Sequence, residues 1–238
     1  MSYVTRRQRA EQRKKYIFLD LDGTITESAG AILSSAEHAL KKLGIVDDDP
    51  EKKRAFIGPP LTVGFMELYG LSGEALTQAI KYYREFYVGG CYKDAPLYEG
   101  MEETLMKLHE EGRLLMIVTS KPKYIAQMVA DYHRLERFFS AVIGPVEEKA
   151  KSGKEDLIET AAREVIRQIG DERLTVSDIY REAVMIGDRK YDMEAARNLG
   201  LTSIGALYGY GTREELQQAG ADYIVEKPCD ILQVLQSL

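Results

Sequence analysis

Residues 16–26 read YIFLDLDGTIT. Tyr16, Ile17, Phe18 and Leu19 form an apolar, β-prone run, which predicts a short buried strand. The strand gives way to two carboxylates, Asp20 and Asp22, with Gly23-Thr24 directly behind. Carboxylates are costly to bury unless they are paired, hydrogen-bonded or bound to a metal. Folding alone gives no reason to put two of them there. In an extended strand end, residues i and i+2 point the same way, so Asp20 and Asp22 start on one side. Gly23 lets the backbone turn behind them without a Cβ clash.

Working outward, the chain from residue 100 alternates helix and strand. MEETLMKLHEEG (101–112) carries Met101, Leu105 and Leu108 on one helical face and ends at Gly112. LLMIVT (114–119) reads as a buried strand, followed by a helix from about Pro122 to His133. FSAVIG (139–144) is a strand and 154–169 an amphipathic helix. AVMIG (183–187) is a strand, MEAARNLG (193–200) a helix, and TSIGAL (202–207) a strand. TREELQQAG (212–220), YIV (223–225) and a helix from about Asp230 complete the series. This alternation predicts an α/β fold, a doubly wound parallel sheet covered on both faces. Residues 170–182 read as a polar surface extension.

Residues 28–94 break the rhythm. SSAEHALKKLG, EKKRAF, VGFMELYG and GEALTQAIKYYREFY are all helical in pattern, and no second strand is expected before residue 114. A helical insert after the first strand follows, with the chain returning near Leu97-Tyr98-Glu99-Gly100. The expected organisation is a basic tail at 1–15, a core of 16–26 plus 96–238, and an inserted helical domain at 27–95.

Composition bounds the function. Of 238 residues, 45% are hydrophobic and 29% charged, with a formal charge of −6; nothing global invites nucleic acid or an anionic membrane surface. The tail MSYVTRRQRAEQRKK is basic, but the apolar run behind it is too short for a signal peptide. No stretch approaches the roughly 18 apolar residues of a membrane helix. Cys91 and Cys229 lie far apart with no metal-ligand spacing, and a reducing, cytoplasmic location is expected.

Other strand ends match the chemistry of the first. LLMIVTSK closes on Thr119, Ser120 and Lys121, a hydroxyl pair and an amine. Lys154 opens a helix and offers an ammonium point charge. VMIGDRKYD closes on Asp188, with Asp192 one helical turn on. The C-terminal edge of a parallel sheet is where open α/β folds bind ligands. Oxygen donors converging there describe a hard-cation site with Mg²⁺ as the expected metal, and a hydroxyl with a lysine beside it describes a place for phosphate. Lys121, Lys149 and Lys151 compete with Lys154 for the lysine role; KEDLI at a helix start favours Lys154. Arg189 and Lys190 read as loop charges. His38, His109 and His133 lack partner spacing and read as structural.

The order DLDGT (20–24), IVTSKP (117–122), Lys154 and GDRKYD (187–192) resembles the haloacid dehalogenase superfamily. More narrowly it is similar to phosphoglycolate phosphatase-like members with a helical cap inserted after the first strand. The resemblance runs from Tyr16 to Leu238, and YGYGTREELQQAGADYIV looks like the tail of these phosphatases. It implies a Rossmann-like core and a small-molecule phosphorylated substrate. It also implies Asp20 as a nucleophile forming an aspartyl-phosphate, Asp22 as general acid and base, and Thr119 and Lys154 as phosphoryl contacts. Mg²⁺ would be held by Asp20, the backbone carbonyl of Asp22, and Asp188, with Asp192 close by or acting through water. Family dehalogenases lack the second Asp and its ion pumps carry Thr there, so phosphoryl transfer to water fits Asp22. A β-phosphoglucomutase-like phosphosugar mutase and a nucleotidase or pyrophosphatase remain alternatives. The mutases carry an arginine in the loop where this chain has GPPL (58–61). In the cap, RAFIGPPLTVGF (54–65), Arg54 and Lys81 are candidate substrate contacts, and YYREFY reads as cap core.

Overall fold

The computed structural model describes residues 14–146 and 153–238. Most of the basic segment at the start, together with Lys149 and Lys151, lies outside the described residues. The described chain divides into two compact units, one built from the part before Thr26 together with Tyr98–Leu238, the other from Thr26–Leu97.

In the first unit the strands are β1 (Tyr16–Leu19), β2 (Leu114–Val118), β3 (Phe139–Ile143), β4 (Ala183–Gly187), β5 (Thr202–Ala206) and β6 (Tyr223–Val225). They form one sheet in the order β3-β2-β1-β4-β5-β6, every neighbouring pair parallel. β1 lies between β2 and β4, where the winding reverses. At such a reversal the connections leave in opposite directions, opening a crevice beyond the carboxyl ends of the strands.

The helices, in chain order, are α1 (Ala29–Lys42), α2 (Pro50–Phe56), α3 (Leu61–Tyr69) and α4 (Gly73–Val88), then α5 (Met101–Glu110), α6 (Lys123–Tyr132) and α7 (Lys154–Ile169). α8 (Val176–Glu182), α9 (Lys190–Leu199), α10 (Arg213–Ala219) and α11 (Asp230–Ser237) follow. None among the described residues is long and apolar enough to cross a membrane. Both faces of the sheet are buried, which is why its central strands are apolar without alternation. On one face Phe18 packs with Met116, Val118 and Met185 against Leu157, Ile158 and Ala161 of α7 and Ala195 and Ala196 of α9. On the other, Ile17, Leu19, Leu115, Ile117, Val184 and Ile186 are equally buried.

Two local readings are corrected. Residues 170–182 are not simply a polar extension: they contain α8. Thr175 and Asp178 cap each other across its first turn, the Asp178 N–H on Thr175 Oγ1 (3.3 Å) and the Thr175 N–H on Asp178 Oδ2 (2.8 Å). Ile179 and Tyr180 then bury against the core. α9 begins at Lys190, three residues before the apolar periodicity, because Asp192 and Glu215 accept the Arg189 and Lys190 amides (3.3 and 2.9 Å). Lys190 is thus helical, not a loop charge.

The second unit is helical. α1 packs along α4, and Phe65 meets Phe56 and Tyr83 edge-on at 5.0 and 6.3 Å. Tyr83 and Tyr87 of YYREFY are buried and stacked (5.8 Å), while Phe86 is exposed and carries His38 on its ring (4.4 Å). Thr26 and Leu97 form an antiparallel bridge, so the insert starts and ends side by side.

Phe18 is fully buried in the middle of the central strand. Phe18→Ala should lower the unfolding free energy by about 3–5 kcal/mol, read from the urea midpoint at unchanged slope. A loss under about 1 kcal/mol would contradict the core described.

Candidate active site

The central strands deliver their side chains to one edge. Asp20 follows β1, and its amide donates to the Ile186 carbonyl (2.9 Å), a contact that extends the β1–β4 ladder by one residue. Its Oδ1 accepts the Leu21 N–H (2.8 Å) and faces Lys154 Nζ at 3.2 Å. Asp188 follows β4. Its Oδ1 accepts from Thr24 Oγ1 (3.3 Å) and its Oδ2 from the Tyr210 N–H (2.9 Å). Asp192, in the first turn of α9, places Oδ1 2.7 Å from Lys154 Nζ. The three carboxylates of Asp20, Asp188 and Asp192 each bring an oxygen within 4.8 Å of the others.

Lys154 is the first residue of α7. Its buried ammonium also donates to the Val118 carbonyl at 3.0 Å, so one cation ties β2, Asp20 and Asp192 together. Asp22 stands apart from the cluster. Both of its oxygens contact Lys121 Nζ, at 2.8 and 2.5 Å. Thr119, buried at the end of β2, donates its amide to Ile143 (2.9 Å), and its hydroxyl accepts the Lys121 N–H (3.2 Å).

Glycines make the space for this. A Cβ on Gly187 would lie 2.2 Å from Asp192 Cγ, and one on Gly23, whose φ is +81°, would lie 2.2 Å from Asp188 Oδ2. After β5, the stretch Tyr208-Gly209-Tyr210-Gly211 wraps Asp188. A Cβ at Gly209 would lie 2.3 Å from both Asp188 Cβ and the Gly23 carbonyl, and one at Gly211 2.1 Å from the Asp188 carbonyl. Tyr208 donates its hydroxyl to the Thr24 carbonyl (3.1 Å), closing the wrap.

The electrostatics follow from burial and crowding. Burial, then the neighbouring Asp20 and Asp192, pushes the Asp188 carboxyl well above its ordinary range. Burial also raises Asp192; Lys154 opposes this and Asp20 adds to it. Burial alone would lower the Lys154 ammonium, but Asp192 and Asp20 outweigh it and hold its pKa above the usual value. Among the described residues, these four carboxylates are paired directly with two ammonium groups, Lys121 and Lys154. The donors are all hard oxygens and negative charge is in excess, so the residues fit a divalent hard cation.

The edge therefore brings together Asp20, Asp188, Asp192 and Lys154, with Asp22 and Thr119 adjoining through Lys121. The sequence reading missed the partners of these groups: Lys121 on Asp22, Thr24 and the Tyr210 amide on Asp188, and the glycines that admit them. Thr24 lies inside the quoted motif and YGYG is an unusual glycine spacing, so both left a trace in the sequence.

Comparison with known proteins gives the following similarities. A family model described as haloacid dehalogenase-like hydrolase matches residues 16–206. A 5'-nucleotidase of Pseudomonas aeruginosa is 33% identical over 96% of this chain and 98% of its own. A phosphoglycolate phosphatase of Vibrio cholerae is 29% identical over 93% and 96%. A solved structure described as a predicted phosphatase from Clostridium acetobutylicum superposes with a TM-score of 0.82 at 34% identity, covering 95% of this chain and all of its own.

Two predictions come from the site. Gly209→Ala should leave the circular dichroism spectrum unchanged while weakening Mg²⁺ binding by about tenfold or more in a calorimetric titration, because the displaced loop no longer orients Asp188. Unchanged affinity would show that the wrap is dispensable. The raised carboxyls set a pH dependence as well. With folded values above the unfolded one, the cation-free fold is penalised as pH rises above the ordinary carboxylate range. Added Mg²⁺ should accordingly raise the melting temperature more at pH 8 than at pH 5, and an equal or reversed gain would contradict this.

Proposed function

Because this chain belongs to the haloacid dehalogenase-like hydrolase family, we propose that its sheet-edge carboxylates make it a Mg²⁺-dependent phosphatase of small-molecule phosphomonoesters, acting through an aspartyl-phosphate on Asp20. The observation that carries this reading is the separation of the two motif aspartates. Asp20 lies in the carboxylate cluster on Lys154, while Asp22, two residues on, lies outside it on Lys121. One is set to meet the phosphoryl group, the other to handle a proton.

In this mechanism a carboxylate oxygen of Asp20 attacks phosphorus, and the bond from phosphorus to the ester oxygen breaks. Asp22 in its acid form gives a proton to that leaving oxygen. It then takes one from the water that attacks the acyl phosphate, releasing inorganic phosphate and regenerating Asp20. Lys154 fixes Asp20 and places positive charge beside the transferring oxygens, and the Thr119 hydroxyl donates to one of them. The carboxylates of Asp20, Asp188 and Asp192, with the Asp22 carbonyl, would hold Mg²⁺, whose charge offsets repulsion between Asp20 and the anionic substrate. Residues 16–26 with 96–238 act as the catalytic core, and residues 27–95 as the cap that sets substrate preference. The relatives named for 5'-nucleotides and phosphoglycolate both cleave small phosphomonoesters, which supports the substrate class.

Phosphate release from a panel of small phosphomonoesters, with and without Mg²⁺, tests the reading. The wild type should release phosphate only with the metal, and Asp20→Asn should lower the rate by about 10³-fold or more. Release that survives Asp20→Asn would overturn the mechanism.

A further inference from the structure

Lys121 takes no part in the proposed chemical steps, although among the described residues it makes the shortest ion pair of the site. Its side chain is only 7% exposed and its Nζ contacts both oxygens of Asp22, whose side chain is 24% exposed. The backbone beneath it is fixed from two sides. The Lys121 amide donates to Thr119 Oγ1 at 3.2 Å. Its carbonyl lies where a Cβ on Gly144 would come within 2.6 Å, so the chain after β3 passes closely against it. Among the described residues, Lys154 is engaged with Asp20 and Asp192, and Arg189 with Glu215 at 2.8 Å. Lys121 is the ammonium seen on Asp22.

That side is where the leaving group must lie, because Asp22 serves the ester oxygen. Whatever is bonded to that oxygen comes within reach of an ammonium already 2.5 and 2.8 Å from the Asp22 oxygens. We propose that Lys121 is a specificity-determining residue that reads negative charge on the leaving group. The site thereby favours phosphomonoesters with a carboxylate or a second phosphate one or two carbons beyond the ester oxygen. This inference rests on the phosphatase reading above.

The physical reasons are three. A site with four carboxylates repels an additional anion, so an anionic leaving group needs a local cation to enter. A nearly buried ammonium is weakly screened and therefore discriminates charge strongly. Lysine, a point charge on a flexible stem, can exchange Asp22 for a substrate anion more readily than the planar fork of arginine could. The exchange leaves Asp22 facing the ester oxygen it serves.

The test compares 2-phosphoglycolate with 2-hydroxyethyl phosphate, which is nearly the same size and lacks the carboxylate. Both are assayed by phosphate release with Mg²⁺ for the wild type, Lys121→Met and Lys121→Arg. The wild type should favour phosphoglycolate at least tenfold in kcat/KM. Lys121→Met should cut that ratio tenfold or more, chiefly through KM, and Lys121→Arg should retain part of it. Equal losses on both substrates, or a wild type without preference, would overturn the inference. If the methionine variant fails to fold, Lys121→Gln is compared with the wild type on the same two substrates instead, and a ratio left at the wild-type value overturns the proposal. A wild type that cleaves other phosphomonoesters but neither of these two sinks the inference and leaves the phosphatase reading standing. A wild type that cleaves no phosphomonoester sinks both.

Discussion

Among the described residues, one edge of the sheet gathers more negative charge than the side chains paired with it balance. Asp20, Asp188 and Asp192 each bring an oxygen within 4.8 Å of the others, Asp20 and Asp192 share one buried ammonium, and Asp22 pairs with a second. Each carboxylate removed from water is costly unless paired. Among the described residues two lysines meet four aspartates, and burial first, with the neighbouring Asp20 adding to it, raises the carboxyls of Asp188 and Asp192. A stable apolar sheet is what lets the chain tolerate this, because the strain sits at the strand ends and not within the core.

The rest of the architecture serves that edge. The strand order puts β1 between β2 and β4, so residues far apart in sequence emerge side by side where the winding reverses. Small residues then do what side chains cannot. Gly187 admits Asp192, Gly23 admits Asp188 and Tyr210, and Gly209 and Gly211 let the stretch after β5 wrap Asp188. These contacts hold oxygen donors at fixed separations before any ligand arrives, the preorganisation that phosphoryl-transfer sites require.

Much of this was legible in one sequence, for a definite reason. Asp20, Thr119 and Asp188 follow apolar runs that stop abruptly, and a buried strand ending in a polar group announces an edge. The doubly wound sheet was legible in the same way, since continuous apolar runs alternating with amphipathic helices imply parallel strands buried on both faces. α8 was hidden because its burial depends on two residues, Ile179 and Tyr180, too few to make a period. Asp192's burial was hidden because it depends on an absent Cβ at Gly187, five residues earlier. The partner of Lys121 was hidden for a different reason. Lys121 and Lys154 carry the same charge near the same strands, and only three-dimensional placement separates the one on Asp22 from the one on Asp20 and Asp192.

In the proposed mechanism Asp20 carries the phosphoryl group during turnover. Acid-quenching the protein during turnover of a ³²P-labelled phosphomonoester with Mg²⁺, then mapping the labelled peptide, decides whether it does. Acid-stable, base-labile label on the peptide containing Asp20, appearing within a turnover and lost with Asp20→Asn, is the expected result. Steady phosphate release with no label on the chain, or label on a peptide without Asp20, would contradict it.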